Sequence, residues 1–335
     1  MRQTLALLLV SVNLCALSSC TWLDHLPSPG LERELAQRSQ SGLGLIRSLD
    51  HDRIFQFRRF DDHTETLSFG CCPQRGAFDG LVHNRFVMKV NPSLPLVPTQ
   101  SIWDEDKTDT NAVRSGGVQV VVLDANGRLL ARSDLRIYGA GITLSPDGTQ
   151  FAFKGVPSGN KFEQTGIYVA SFRGTQVRKL MPALVPLGDP ATLDWSPDGR
   201  NLLVSRIGEI SRIDLATGRI TKLADGSKAL WSPRGTWISF VTPERDSALL
   251  EVATGQVSLI DPGRHTGTAL EWSPDGRYLL VLEAEGSHEP YGCLWIYRVA
   301  DGAFTPIPGY GVGGPHAQWL QRDGTLVGGI GKELR

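Results

Sequence analysis

At 335 residues and a formal net charge of −1, the chain can bury a large core but has no overall charge to draw it to nucleic acid or an anionic surface. Its 37 glycines and 20 prolines suit a turn-rich all-β protein, and an all-β ring of this length runs as one unit.

The first twenty residues stand apart. Arg2 gives a short positive start, and residues 4–17 form an apolar run too short and too early for a typical spanning helix. The run ends in Leu17-Ser18-Ser19-Cys20. This resembles the bacterial lipobox, in which small residues precede a cysteine that is lipidated and becomes the mature N-terminus. The resemblance implies a lipoprotein signal peptide over 1–19 and a Cys20 carrying several acyl chains, palmitate among them. Several chains anchor stably where one does not. Cys15 follows Asn13 and Leu14, which suit cleavage less well. An ordinary secretory signal, leaving Cys20 a stray thiol, is the alternative. Thr21 follows the cysteine instead of Asp. By resemblance to the enterobacterial sorting pattern, that favours the outer membrane, facing the periplasm.

Residues 20–50 read as a tether, broken by Pro27, Ser28, Pro29 and Gly30. Leu31 and Leu35 have helical spacing but few apolar companions, so a short helix and disorder both fit. Residues 51–335 are expected to form a single domain. Residues 53–60 and 66–69 look like strands around an Asp61-Asp62-His63 turn, and 81–90 like another strand. Residues 91–100 are a Pro-rich loop. The acidic stretch 104–111 carries oxygen ligands at Asp104, Asp106 and Asp109 but lacks the glycine and terminal glutamate of an EF-hand, so a solvated loop is favoured over a calcium site. Cys71, Cys72 and Cys293 leave one thiol odd. Either Cys71 or Cys72 bonds Cys293, or the adjacent pair bond each other. Their spacing does not suit zinc, and no metal or other cofactor is expected.

From residue 118 onward the chain repeats. Trp195-Ser196-Pro197-Asp198-Gly199 and Trp272-Ser273-Pro274-Asp275-Gly276 are identical. Trp231-Ser232-Pro233-Arg234-Gly235 and Leu144-Ser145-Pro146-Asp147-Gly148 each differ at one position, and Trp319 with Arg322-Asp323-Gly324 is a worn copy. Recurrence every 36 to 51 residues marks a repeat architecture. Ser at the first position, Pro at the second and Gly at the fourth suit a type I turn closed by a left-handed glycine, a tight hairpin connection. Three and five residues past the glycine come Phe151 and Phe153, Leu202 and Val204, Ile238 and Phe240, Leu279 and Val281, a period-two strand pattern. The tryptophan before each turn is placed to fill space between sheets.

A second hairpin alternates with the first, turning at Asn126-Gly127, Arg173-Gly174, Thr217-Gly218, Thr254-Gly255 and Asp301-Gly302. Two hairpins make four strands per repeat, and radial repetition of four-stranded sheets is a β-propeller. Over about residues 118–331 the repeat resembles the TolB-type, WD40-like propeller repeat. The repeats open on the second kind of hairpin and close on the first, so the ring is expected to close with strands from both termini. It has five blades if the Gly127 and Gly324 hairpins share one. It has six if 53–70 completes the Gly324 hairpin and 80–103 the Gly127 hairpin. Six is preferred, because the strands in 53–103 otherwise lack partners.

Function is less legible, since propellers host many activities. There is no Gly-x-Ser-x-Gly elbow, no His-Glu-x-x-His and no phosphate-binding glycine loop. Asp147, Asp198 and Asp275 recur in turns, where turn chemistry explains them. The loops at 288–291 and 310–316 are candidate contact surface or filler. TolB-type propellers act as periplasmic interaction scaffolds. The resemblance therefore implies a monomeric, non-catalytic, membrane-anchored envelope propeller that binds other envelope proteins or cell-wall components and no nucleic acid. A propeller enzyme acting on glycans, hydrolase or lyase, and a small-ligand or metal sensor are the alternatives.

Overall fold

The computed structural model describes residues 28–50, 54–60, 64–68, 76–82, 84–90, 117–125, 128–182, 191–206, 208–260, 267–283, 293–311 and 318–322. The expected signal peptide, Cys20, Cys71, Cys72, the acidic loop, Gly324 and all seven histidines lie outside these residues.

Helix α1 (Pro29–Gln40) is followed by β1 (Leu43–Asp50), β2 (Ile54–Arg59), β3 (Thr64–Ser68), β4 (Gly76–Val82), β5 (Arg85–Val90), β6 (Val118–Leu123) and the long β7 (Leu129–Leu144). Then come β8 (Gln150–Pro157), β9 (Gly166–Ser171), β10 (Val177–Pro182), β11 (Thr192–Trp195), β12 (Asn201–Arg206), β13 (Glu209–Asp214) and β14 (Ile220–Ala224). The rest are β15 (Ser227–Trp231), β16 (Trp237–Val241), β17 (Ser247–Glu251), β18 (Val257–Leu259), β19 (Gly267–Trp272), β20 (Tyr278–Glu283), β21 (Cys293–Arg298), β22 (Ala303–Gly311) and β23 (Gln318–Gln321).

Among the described residues these strands form five antiparallel sheets. Blade 1 has the order β23-β1-β2-β3, so strands from the two ends of the described chain share one sheet. Blades 4, 5 and 6 are β11–β14, β15–β18 and β19–β22. The remaining sheet has seven strands, β4 to β10. Its sixteen-residue β7 pairs with β6 from Leu129 to Ile137 and with β8 from Ile137 to Leu144. One strand thus serves as outer edge of blade 2 and inner edge of blade 3. Counted as hydrogen-bonded sheets the ring has five; counted as four-stranded blades it has six. The inner strands β4, β7, β11, β15, β19 and β23 touch in that order and close the circle.

The core follows from this layout. Each blade is apolar on both faces, so burial occurs between blades, as expected for a sheet packed between sheets. Ile46, Phe57, Phe86 and Leu320 bury together where blades 1 and 2 meet. Val87, Val120, Phe151 and Phe153 do so for blades 2 and 3. Ala152, Leu193, Trp195 and Leu202 join blades 3 and 4, and Leu203, Trp231, Ile238 and Leu250 join blades 4 and 5. Leu249, Trp272, Leu279 and Trp295 join blades 5 and 6. At the last junction Leu45, Tyr278, Leu280 and Trp319 are joined by Leu31 and Leu35 of α1.

Two expectations need correction. Residues 20–50 are not a tether throughout. From residue 29 they supply α1, whose Leu31 and Leu35 are buried, and β1, a strand of the closing blade. Two leucines one helical turn apart were enough, because the groove between blades supplies the other side of the contact. The stretch 81–90 is not one strand: Leu81 and Val82 end β4, and Arg85–Val90 is β5, its antiparallel partner in a hairpin. Asn84, at φ 61°, turns the chain between β4 and β5. Asparagine tolerates that left-handed conformation better than most residues.

Candidate functional site: the blade junctions and the α1 cleft

The repeated turns share one geometry. The glycine N–H donates to the serine carbonyl at 2.8 Å in all four copies, Gly148 to Ser145, Gly199 to Ser196, Gly235 to Ser232 and Gly276 to Ser273. The buried serine Oγ accepts the N–H that opens the next strand, at Gln150, Asn201, Trp237 and Tyr278. In three copies that hydroxyl donates to the turn aspartate, 2.6 Å to Asp147, 2.5 Å to Asp198 and 2.8 Å to Asp275. The bond from Ser145 holds the Asp147 carboxyl below the usual carboxylate range, and Ser196 does the same for Asp198. These carboxylates are therefore occupied by their own turns.

The turns also touch one another. A Cβ on Gly199 would lie 3.8 Å from Pro146 Cδ, one on Gly235 3.6 Å from Pro197, and one on Gly276 3.3 Å from Pro233. Each proline rests against the glycine of the following blade. The short turns thereby pave one end of the ring, and Pro274 occupies the same turn position in blade 6. Trp195, Trp231, Trp272 and Trp319 are all buried between blades.

Polar side chains cross three of the junctions to reach the main chain of a neighbouring inner strand. Asp194 Oδ2 accepts the Trp231 N–H at 2.7 Å, tying blade 4 to blade 5. Glu271 Oε2 accepts the Trp319 N–H at 2.9 Å, tying blade 6 to blade 1. Asn84 makes two such bonds to Gln321, accepting its N–H and donating to its carbonyl at 2.7 Å each, which ties blade 2 to blade 1. Asp194 as a whole keeps some solvent exposure, but its carboxyl is enclosed, and burial pushes its pKa up to about 7 against the two N–H groups that lower it. Burial likewise raises Glu271 well above its ordinary value. Raised carboxyls of this kind can mark a catalytic acid, but here both are committed to main-chain N–H groups.

The sequence reading passed over both. The available signal was an acidic residue just before the tryptophan, where other copies carry Thr143 and Leu230.

The junction between blades 6 and 1 also holds α1. Ser28 and Pro29 start the helix in the usual order, and the Ser28 N–H donates to Phe304 O at 3.2 Å. Glu34 receives Tyr278 Oη at 2.5 Å and Arg298 Nη1 at 2.6 Å. The hydrogen bond from Tyr278, with Arg298 behind it, holds its carboxyl below the usual range. Burial first, and Glu34 second, raise Tyr278. Arg38 pairs with the turn aspartate Asp275, and Thr305 Oγ1 donates to Glu32 at 3.2 Å.

Beneath this strap a cleft of about 400 Å³ remains between the two blades. Leu35, Leu45, Ile296 and Ile307 contribute apolar wall, and Glu32, Arg33, Arg58 and Arg59 are its charged lining.

Of the residues singled out from sequence, the turn prolines, glycines and tryptophans gather at the turn end and the blade junctions. Cys293 opens β21, and its side chain lies outside the described residues, as do Cys71 and Cys72. Among the described residues no group of three or more His, Cys, Asp or Glu could hold a metal ion.

No known protein-family profile matches the chain. Over 116 residues it is 28% identical to a subunit of eukaryotic translation initiation factor 3 from Xenopus laevis, a match covering 31% of this chain and 17% of that protein's length. In three dimensions it is similar to TolB from Acinetobacter baumannii, with a TM-score of 0.55 and 17% identity over 84% of this chain and 67% of that one. It is also similar to a structure assigned as TolB from Agrobacterium tumefaciens, with a TM-score of 0.53 and 14% identity over 82% of this chain and 90% of that one. At these identities the likeness concerns the fold: the chain is a TolB-like β-propeller.

Proposed function

We propose that this chain is a lipid-anchored protein of the bacterial cell envelope whose propeller serves as a non-catalytic scaffold for other envelope proteins or cell-wall components. The observation that carries the reading is the pairing of an apolar N-terminal run ending in Leu17-Ser18-Ser19-Cys20 with a TolB-like ring. The ring's own chemistry supports it. The junction carboxylates Asp194 and Glu271 accept main-chain N–H groups, and the turn carboxylates Asp147, Asp198 and Asp275 are held by turn serine hydroxyls, with Arg38 of α1 also on Asp275, which is how a framework uses charge.

The two ends of the ring also differ. The repeated turns pave one end, whereas the segments joining β5 to β6, β10 to β11 and β20 to β21 leave from the other. Longer connections on a rigid frame are where contact surfaces ordinarily reside.

The test is crosslinking in intact cells, followed by purification from detergent-solubilised membranes beside a Cys20→Ser variant. A defined partner recovered with the wild-type protein and lost with the variant is the expected result. A wild-type protein that fractionates as soluble, or that brings down nothing specific after crosslinking, would overturn the scaffold reading.

A further inference from the structure

We propose that the outer edge of blade 5, strand β18, takes up an extended, uncharged segment of another envelope protein as a fifth strand. The inference rests on the scaffold reading only for the class of partner; the edge itself is read from the repeats.

The main chain comes first. Glu251 N–H donates to Gln256 O and Ile260 N–H to Ser247 O, each at 2.8 Å, and Leu250, Leu249 and Ala248 of β17 stand opposite Val257, Ser258 and Leu259. Hydrogen-bonded and open pairs alternate along an antiparallel ladder. The N–H and C=O groups of Val257 and Leu259 therefore turn away from β17, and β18 is the last strand of its sheet. Two donors and two acceptors line that edge, which is the template a further strand pairs with.

The repeats make this edge the exception. Ser171 with Gln176, Asp214 with Arg219 and Arg298 with Ala303 close the same hairpin in blades 3, 4 and 6 as Glu251 with Gln256 does in blade 5. One residue further on come Val177, Ile220, Val257 and Phe304; three residues further on come Lys179, Lys222, Leu259 and Pro306. Lysine and proline are what natural edges carry to discourage pairing. Of the four blades, blade 5 alone has neither there. Blade 6 already shows the first of these positions in use, since Phe304 O accepts the Ser28 N–H at 3.2 Å.

The side chains name the occupant. Val257 is 46% exposed and Leu259 58%. The residues opposite them, Leu250 and Ala248, bury between blades 4 and 5, so Val257 and Leu259 carry that apolar face out to the rim. A segment with apolar residues two apart meets both, and one without charge leaves none stranded against them. A second ring fits less well. An edge of three residues falls far short of the about 1,200 Å² that two folded surfaces bury in a stable pair, whereas a segment needs only the edge.

The experiment uses the full chain, isotope-labelled and purified in detergent, with a short peptide of alternating valine and threonine flanked by lysines. Titration followed on amide resonances should shift Val257 and Leu259 and leave Val177 and Ile220 in place. The fully N-methylated peptide, which keeps the side chains and loses the donors, should bind at least roughly tenfold more weakly. Leu259→Lys, at an exposed position, should abolish the response without moving the thermal midpoint. Lys222→Leu should create a response at Ile220.

No response at Val257 and Leu259, an equal response at Val177 and Ile220 in the unsubstituted chain, or an unchanged response in Leu259→Lys would overturn the proposal. So would self-association in sedimentation that Leu259→Lys abolishes, because the occupant would then be a second copy. Crosslinking in cells separates the edge from the scaffold reading. A partner recovered equally with Leu259→Lys sinks the edge and leaves the scaffold, whereas peptide pairing with no partner recovered sinks the scaffold and leaves the edge as a strand acceptor.

Discussion

Asp194 occupies an inner-strand position where blade 5 carries Leu230. Its bond to the Trp231 N–H satisfies a main-chain donor of the next blade, since β15 is the inner edge of its sheet and has no further strand to pair with there. The consequence for stability follows from linkage. The folded-state pKa of about 7 lies above the ordinary aspartate value, so between those two values the folded protein holds a proton that the unfolded chain has released. Stability is therefore greatest below about pH 4 on this account and falls as the pH rises toward 7, by a few kcal/mol at the outside. Glu271, also raised, acts in the same direction. Thermal unfolding should show wild-type protein losing several degrees between pH 5 and pH 8. Asp194→Asn, which keeps an acceptor for the Trp231 N–H but cannot titrate, should flatten that slope and melt higher than wild type at pH 8. Identical slopes in the two proteins would mean that Asp194 is ionised throughout.

At the scale of one element, α1 shows which forces hold an added helix to a ring. Leu35 is 2% exposed, and its replacement by alanine should cost about 2–5 kcal/mol. The Arg38 to Asp275 pair is partly exposed, and Arg38→Gln should cost about 1 kcal/mol or less. Urea titrations of the two variants should rank them in that order; the reverse would make the strap electrostatic.

The same helix marks a limit of sequence reading. The Ser-Pro-x-Gly turns were legible because each residue type answers a local backbone demand, and four in-phase copies reinforce one another. The strands after them were legible because burial on both faces leaves a continuous apolar pattern. Helix α1 and β1 carry no such repetition. Their partners, Tyr278, Arg298 and β23, lie more than two hundred residues away, and a periodicity argument cannot see across that distance. The cleft was invisible for the same reason: its arginines come from α1 and β2, and its inner wall from α1, β1, β21 and β22. The inner-strand carboxylates Asp194 and Glu271 lay inside the repeat, but their role depends on which N–H the next blade leaves unpaired.

For the whole molecule, closure is the sensitive step. Strand β1 reaches β23 over four paired positions, from Leu43 opposite Gln321 to Ile46 opposite Gln318. Just before it Gly42 stands at φ 89°, and a Cβ there would overlap the Arg322 carbonyl oxygen. Gly218 has a similar φ of 75° but open space around it. Gly42→Ala should therefore cost roughly 3 kcal/mol, conformational penalty and clash together, against about 1–2 kcal/mol for Gly218→Ala. Denaturation midpoints of the two variants check this, and equal costs would show that the closing blade yields.

The position of α1 has one more consequence. Whatever pulls on the chain ahead of residue 28 meets the helix before it meets β1. The buried leucines and the contacts to Tyr278, Arg298 and Asp275 hold the helix to blade 6. Tension is thus shunted into a complete four-stranded blade instead of peeling the strand that closes the circle. Mechanically, α1 works like the clamp on a cable that keeps a tug away from the joint.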